Sequence, residues 1–182
     1  MRSVNKEEKS AEEARSPGAS GETGCRLCPR GCGADRKNGQ AGFCGVAGAG
    51  ILAARAGIHV WEEPCITGEH GSGTICFSGG PLRCVYCQNY AIARSETGKR
   101  ITVERLTEIM LELQEKGAEN INLVTPTHYT PEILQAVPGA KAKGLILPIV
   151  YNCSGYEKVD TLRMLDGVVD IYLTDFKYME GE

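Results

Sequence analysis

The stretch FSGGPLRCVYCQN, Phe77–Asn89, decides how the rest of the chain reads. An apolar run, TICFSG (Thr74–Gly79), leads into it as a buried strand candidate. Glycine and proline then turn the backbone ahead of two thiols, Cys84 and Cys87, spaced C-x-x-C with Tyr86 just before the second. Taken alone, such a pair suits a redox dithiol, half a zinc site or part of an iron–sulfur cluster. Four residues before Cys84, where a third thiol would complete a triad of cluster ligands, the chain has Gly80.

Downstream, helix and strand signals alternate. TVERLTEIMLELQEKG places Val103, Leu106, Met110 and Leu113 on one helical face, with Thr102 as N-cap and Gly117 at the C-terminal end. NINLVT (Asn120–Thr125) reads as a second strand. TPEILQAV opens a helix with Thr130 as N-cap and Pro131 at the first helical position. LILPIVYN (Leu145–Asn152) reads as a third strand, against a mild objection from Pro148. EKVDTLRMLDG is a third helix and VVDIYLTDF (Val168–Phe176) a fourth strand.

Strands alternating with helices imply right-handed crossovers and a parallel sheet, so the fold class expected is α/β. Functional groups in such folds gather at the C-terminal ends of the strands. Those ends carry GGPLRCVYC, TPTHY, NCSGY and DFKYM, which points to one shared site. Four parallel strands leave an unpaired edge, so either the sheet is open or, the favoured expectation, this is the front of a (β/α) barrel cut short after its fourth strand.

Upstream, residues 51–72 read as a connecting segment, extended from Ile51 to Trp61 and ended by EEP. Trp61 is expected to pack in the core with Glu62 and Glu63 on the surface. The other reading has these three and His59 lining the site. Before it lies a Cys/Gly-rich segment, residues 25–50, in which Cys25, Cys28, Cys32 and Cys44 are spaced C-x2-C-x3-C-x11-C. Four thiolates make a closed set for zinc or a full ligand set for an iron–sulfur cluster, and the spacing leaves that choice open. Met1–Gly24 is polar, Ser/Gly/Glu-rich and without aromatics, and is expected to be a disordered leader.

The 182 residues suffice for one domain with a real core, at 42% hydrophobic and 24% charged. A net charge of -3 argues against a nucleic-acid partner, and no apolar run is long enough to span a bilayer. The N-terminus lacks the apolar region of a secretory signal. Nine cysteines, clustered and odd in number, then suit metal binding in a reducing, cytoplasmic setting better than disulfides.

The segments CRLCPRGCG, GFCG, HVWEEP, GSGTICFSG, LRCVYCQNY, NINLVTPTHY, PIVYNCSGY and DIYLTDFKYM together resemble the radical S-adenosylmethionine (SAM) enzymes. Within that family they are closest to an uncharacterised branch related to pyruvate formate-lyase activating enzymes. The likeness runs from about Cys25 to Met179. It implies a partial barrel of the radical SAM type over residues 73–182, preceded by the four-cysteine segment. It implies a [4Fe–4S] cluster held by a C-x3-C-x-aromatic-C signature, here Cys84 and Cys87 with Gly80 in the first position. It implies SAM as a second cofactor, with Tyr86 beside the adenine and Asn152, Cys153, Asp175 and Lys177 helping to hold it.

The Gly-Gly-Glu segment that binds the SAM amine in the family is replaced here by TPTHY. His128 within it reads as a site ligand or, more simply, as a satisfied loop histidine. The chemistry implied is reductive cleavage of SAM to a 5′-deoxyadenosyl radical for hydrogen abstraction. The implied partners are an electron donor such as flavodoxin or ferredoxin and a glycyl-radical protein substrate. The rival expectation is a metal-binding protein without catalysis, because three thiolates are needed to fix a cluster with one open iron and the signature offers two.

Overall fold

The computed structural model describes residues 24–175. The leader, Phe176 and Lys177 therefore lie outside the described residues, apart from Gly24. One six-stranded sheet organises the chain, in the order β3-β1-β2-β4-β5-β6. Its strands are β1 (Ile51–His59), β2 (Ser72–Phe77), β3 (Lys99–Ile101), β4 (Ile121–Val124), β5 (Ile149–Cys153) and β6 (Ile171–Thr174). β2, β4, β5 and β6 are parallel, as the alternation predicts, and β1 runs antiparallel to both β2 and β3.

Two strands therefore extend the expected four. The connecting segment supplies β1, which pairs with β2 from Ala53 against Phe77 to His59 against Ser72. β3 is a three-residue Lys-Arg-Ile edge strand, too short and too polar to show a periodicity.

The crossovers are α3 (Val103–Glu115), α4 (Thr130–Ala142) and α5 (Val159–Met164). Two short helices, α1 (Pro64–Thr67) and α2 (Tyr90–Ala93), punctuate the loops. The Thr102 hydroxyl caps α3 by accepting from the Arg105 N–H at 3.2 Å. Thr130 is not the cap of α4. Tyr129 holds that position, and the Thr130 hydroxyl donates to the Thr127 carbonyl at 2.8 Å. Residues 145–148 lie outside β5, where Pro148 costs no ladder bond and its carbonyl accepts from Ile121 N at 2.9 Å.

The period-two rule divides the sheet into two unlike faces. Ile75, Phe77, Ile121, Leu123, Ile149 and Tyr151 point to one side and are buried against Leu106, Met110 and Leu113 of α3 and Ile133, Val137 and Ala140 of α4. At about 25 cal/mol per Å² this packed layer is the main source of stability. The alternate positions, from Arg55 and Thr74 through Cys76 and Val124 to Asn152 and Leu173, line a cavity instead. The helices cover one face of the sheet, and the other holds the candidate site.

Candidate functional site

The cavity on the second face measures about 750 Å³, within the usual range for a small-molecule site. It is built from the strand ends and the loop after β2. Gly80, Cys84, Tyr86 and Cys87 enter it from that loop, Thr125 from the end of β4, Asn152 and Cys153 from β5, and Asp175 from beyond β6. The strand-end segments singled out in the sequence thus do converge. Lys177 lies outside the described residues.

Three backbone hydrogen bonds fix the start of the loop. Ser78 N donates to Leu52 O at 2.8 Å, Gly79 N to Ile92 O at 2.8 Å, and Gly80 N to Cys44 O at 3.4 Å. Cys84 and Cys87 then close a turn in which Cys87 N donates to Cys84 O at 3.4 Å. Arg83, just before it, has a φ of 51°, a left-handed conformation that costs a non-glycine residue about 1 kcal/mol. Both thiols are half-buried, and Tyr86 stands 65% exposed at the cavity mouth.

The two adjacent glycines differ. Gly79 has a φ of 92°, and a Cβ there would stand 2.8 Å from Cys44 O and 2.7 Å from Val46 Cγ2. Gly80 has no left-handed φ, and a Cβ there would meet nothing closer than Thr125 Cγ2 at 3.9 Å and Ala93 O at 4.0 Å. Only Gly79 is required by the backbone.

The sequence missed several cavity residues. Cys76 faces the cavity beside Arg55, and burial raises its thiol pKa. Trp61 is 86% exposed and is no core residue. With His59, Glu62 and Glu63 it lines the cavity, as the second of the two readings of that string expects. Burial, with Glu63 nearby, raises the Glu62 carboxyl above its usual range. The signal available was HVWEEP itself, in which no apolar alternation follows the strand.

His128 is a structural residue. It is buried behind Gly79, and its Nε2–H donates to Ser78 O at 2.8 Å. Burial holds its pKa down at about 4, so the ring is neutral. Cys153 Sγ lies 3.6 Å from Thr174 Oγ1, and burial raises its thiol pKa as well.

The N-terminal cysteines come together on tight turns. Cys25 N donates to Ala34 O at 2.9 Å and Gly33 N returns to Cys25 O at 3.0 Å. The sulfurs of Cys32 and Cys44 both face Gly42. Burial raises the Cys28 and Cys44 thiols, and in each case charge on Cys25 and Cys32 adds to the rise. Burial opposes ionisation of Cys32 too, but the backbone N–H groups of Ala34 and Phe43 outweigh it and lower that pKa. The nine cysteines form no disulfides. Among the described residues, no three His, Cys, Asp or Glu side chains converge closely enough to hold a metal ion as they stand.

This segment packs against the cysteine loop. Arg30 lies 4.1 Å from the Phe43 ring centre and donates Nε–H to Pro81 O at 3.1 Å. Arg36 donates to His128 O at 2.5 Å, and Thr161 donates to Leu27 O at 2.7 Å. The four-cysteine segment is therefore a wall of the same neighbourhood that holds Gly80.

No protein-family model matches the chain, and no solved structure matches it. Among curated proteins it is similar to an uncharacterized protein of Methanocaldococcus jannaschii, with 28% identity over 165 residues. The match covers 87% of this chain and 46% of that protein, so the chain spans about half the length of the curated relative it matches. Among the described residues, no helix is long and apolar enough to cross a membrane.

Proposed function

We propose that the chain is part of a protein of the radical SAM type, whose polar sheet face binds S-adenosylmethionine beside a metal site at Cys84 and Cys87. The observation that carries this reading is the convergence of the C-x-x-C loop with Asn152, Cys153 and Asp175 on one cavity of about 750 Å³. The six-stranded sheet, parallel over β2, β4, β5 and β6, is consistent with the front of such a barrel.

The residues present fit the nucleoside ligand. Tyr86 offers an aromatic face at the cavity mouth, and the Asn152 amide and Asp175 carboxylate suit the ammonium and carboxylate of a methionyl end. SAM, when bound, supplies a sulfonium that activates its carbon–sulfur bonds.

The residues do not complete the iron–sulfur cluster that the same resemblance implies. Gly80 offers no donor, and no third ligand stands within reach of Cys84 and Cys87 among the described residues. Hydrogen abstraction, the electron donor and a glycyl-radical substrate therefore rest on the resemblance and on a third thiolate being supplied. Gly80 also favours a second reading, in which the N-terminal four bind metal and the cavity binds a ligand without catalysis.

Restoring the thiol separates the two. Gly80→Cys should raise iron and sulfide by about one cluster per chain, because three thiolates then hold the cluster. With SAM and a strong reductant it should also give 5′-deoxyadenosine. No gain in iron, and no binding of SAM by calorimetry, would remove the proposal.

A further inference from the structure

We propose that the cavity holds a second seat, where Glu62, Glu63, Trp61 and the buried Asn122 take an organic cation with N–H donors, a guanidinium or a primary ammonium. This seat lies apart from Cys84 and Cys87 and needs no metal there. β1 runs antiparallel to β2, so His59 stands opposite Ser72, where β2 begins, and the cysteine loop leaves after Phe77, where β2 ends. From residue 72 to residue 77 is roughly 17 Å at strand spacing. His59, Trp61, Glu62 and Glu63 nonetheless line the same cavity as the two cysteines.

Asn122 distinguishes the place from a surface pair of carboxylates. It stands opposite Thr74 in the β2–β4 ladder, and Thr74 lines the cavity. Ile121 and Leu123 on either side of it belong to the core under the helices, so the Asn122 side chain points to the cavity face. It is fully buried, and neither its Nδ2 nor its Oδ1 makes a hydrogen bond of normal geometry. Its amide lies beside the Glu62 carboxyl and helps to lower that pKa, which is the work of the N–H end. Oδ1 is left as a buried acceptor with nothing to accept from, a state that costs stability until a donor arrives.

The charges point to a cationic donor. Burial first, and the Glu63 charge second, raise the Glu62 pKa, so the pair is short of positive charge. Among the described residues no lysine or arginine forms an ion pair with either carboxylate. Arg55 also lines the cavity, but it lies four residues back along β1, opposite Cys76 and roughly 13 Å from His59 at strand spacing. Trp61, exposed over most of its surface, adds an aromatic face that attracts a guanidinium or an ammonium. An anion would meet two carboxylates instead.

Trp61 is the one tryptophan of the chain, so its fluorescence reports on this seat. The full chain is titrated with butylguanidinium chloride, with butylurea as the neutral counterpart of the same shape and potassium chloride as the salt control. The expected result is a saturable change with butylguanidinium alone. Glu62→Gln should weaken binding about tenfold, the worth of one charge-assisted hydrogen bond. Glu115→Gln, at the exposed end of α3, should leave it unchanged. Asn122→Leu should weaken binding about fivefold and yet raise the urea midpoint, because it removes the orphan amide. A purely structural asparagine would not give those opposite movements.

An equal response to butylurea or to potassium chloride overturns the inference. So does an Asn122→Leu chain that binds as well as the unaltered one; should that variant not fold, unchanged binding by Glu62→Gln decides against the seat by itself. Saturating SAM should leave the response in place. If SAM abolishes it and Glu62→Gln weakens SAM in the same proportion, the residues belong to the SAM site and there is no second seat. Failure of SAM to bind at all, with the butylguanidinium response intact, removes the function proposed above and upholds this inference.

Discussion

The two cysteine regions of this molecule are built on opposite plans. Cys25, Cys28, Cys32 and Cys44 form a set that is complete in number, carried by turns with few apolar side chains of their own. Cys84 and Cys87 are incomplete in number, yet their loop springs from the best-packed part of the fold, the end of β2. The first region adds only Ala34, Cys44 and Val46 to the buried set, whereas the second is held at the end of a strand buried in the core. A glycine at position 80 is therefore compatible with an intact cavity.

The sharpest way to break that contrast is Cys28→Ser. If the four thiols hold a structural metal, as proposed, that site contributes on the order of 10 kcal/mol to the segment. The variant should lose one metal equivalent, and residues 25–50 should become sensitive to protease. Because Arg30 bonds Pro81 and Cys44 O accepts from Gly80 N, amide exchange should also quicken at Gly80. Cys84→Ser should leave the protease pattern of residues 25–50 unchanged. Full metal content and full protease resistance in Cys28→Ser would show that the four thiols are not a ligand set.

The join between the two regions is His128, which accepts from Arg36 through its carbonyl and holds Ser78 through its ring. Burial, with the nearby Arg36 charge adding to it, depresses its pKa to about 4, against an ordinary 6.5. The unfolded chain therefore binds this proton more readily than the folded one, and stability falls as the pH drops from 6.5 towards 4. The full effect is roughly 3 kcal/mol at 1.36 kcal/mol per pH unit. His70, whose pKa is raised by Glu119, contributes the opposite slope from an exposed position. Denaturant midpoints at pH 7 and pH 4.5 for the unaltered chain and His128→Gln isolate the term. The variant should show the shallower dependence, and equal slopes would mean that His128 is not the buried neutral link between the regions.

Much of the fold was legible because its signals are local. Apolar runs marked β2, β4, β5 and β6, and Thr102 marked the start of α3. The site was legible as a set of strand ends, since topology alone brings Asn152, Cys153 and Asp175 beside Cys84 and Cys87. What stayed hidden depends on pairing and on which face a residue takes. β3 has no pattern of its own and exists because β1 offers an edge. Register is what puts Cys76 on the cavity face next to Arg55. Trp61 looked like core by its size, but β1 had already ended at His59, and Trp61 beyond it is exposed. The likeness to radical SAM enzymes rests on short motifs spread along the chain, and no family model gathers them into a match.

The smallest effect is also the most discriminating, because it compares two letters that the sequence writes alike. Gly79→Ala forces a left-handed φ of 92° on an alanine and drives its Cβ to 2.8 Å from Cys44 O, in the segment that the N-terminal cysteines build. Backbone strain and overlap together should cost about 2–3 kcal/mol. Gly80→Ala meets neither penalty, and it removes conformational freedom from the unfolded chain. Its expected effect is between zero and about 1 kcal/mol of stabilisation. Urea midpoints at neutral pH read both changes, provided that the m-values match. A Gly80→Ala cost as large as that of Gly79→Ala would mean that position 80 is closed. A cysteine there would then have no room either, and the cavity would have to be read as a ligand site with two cysteines in its lining and no cluster.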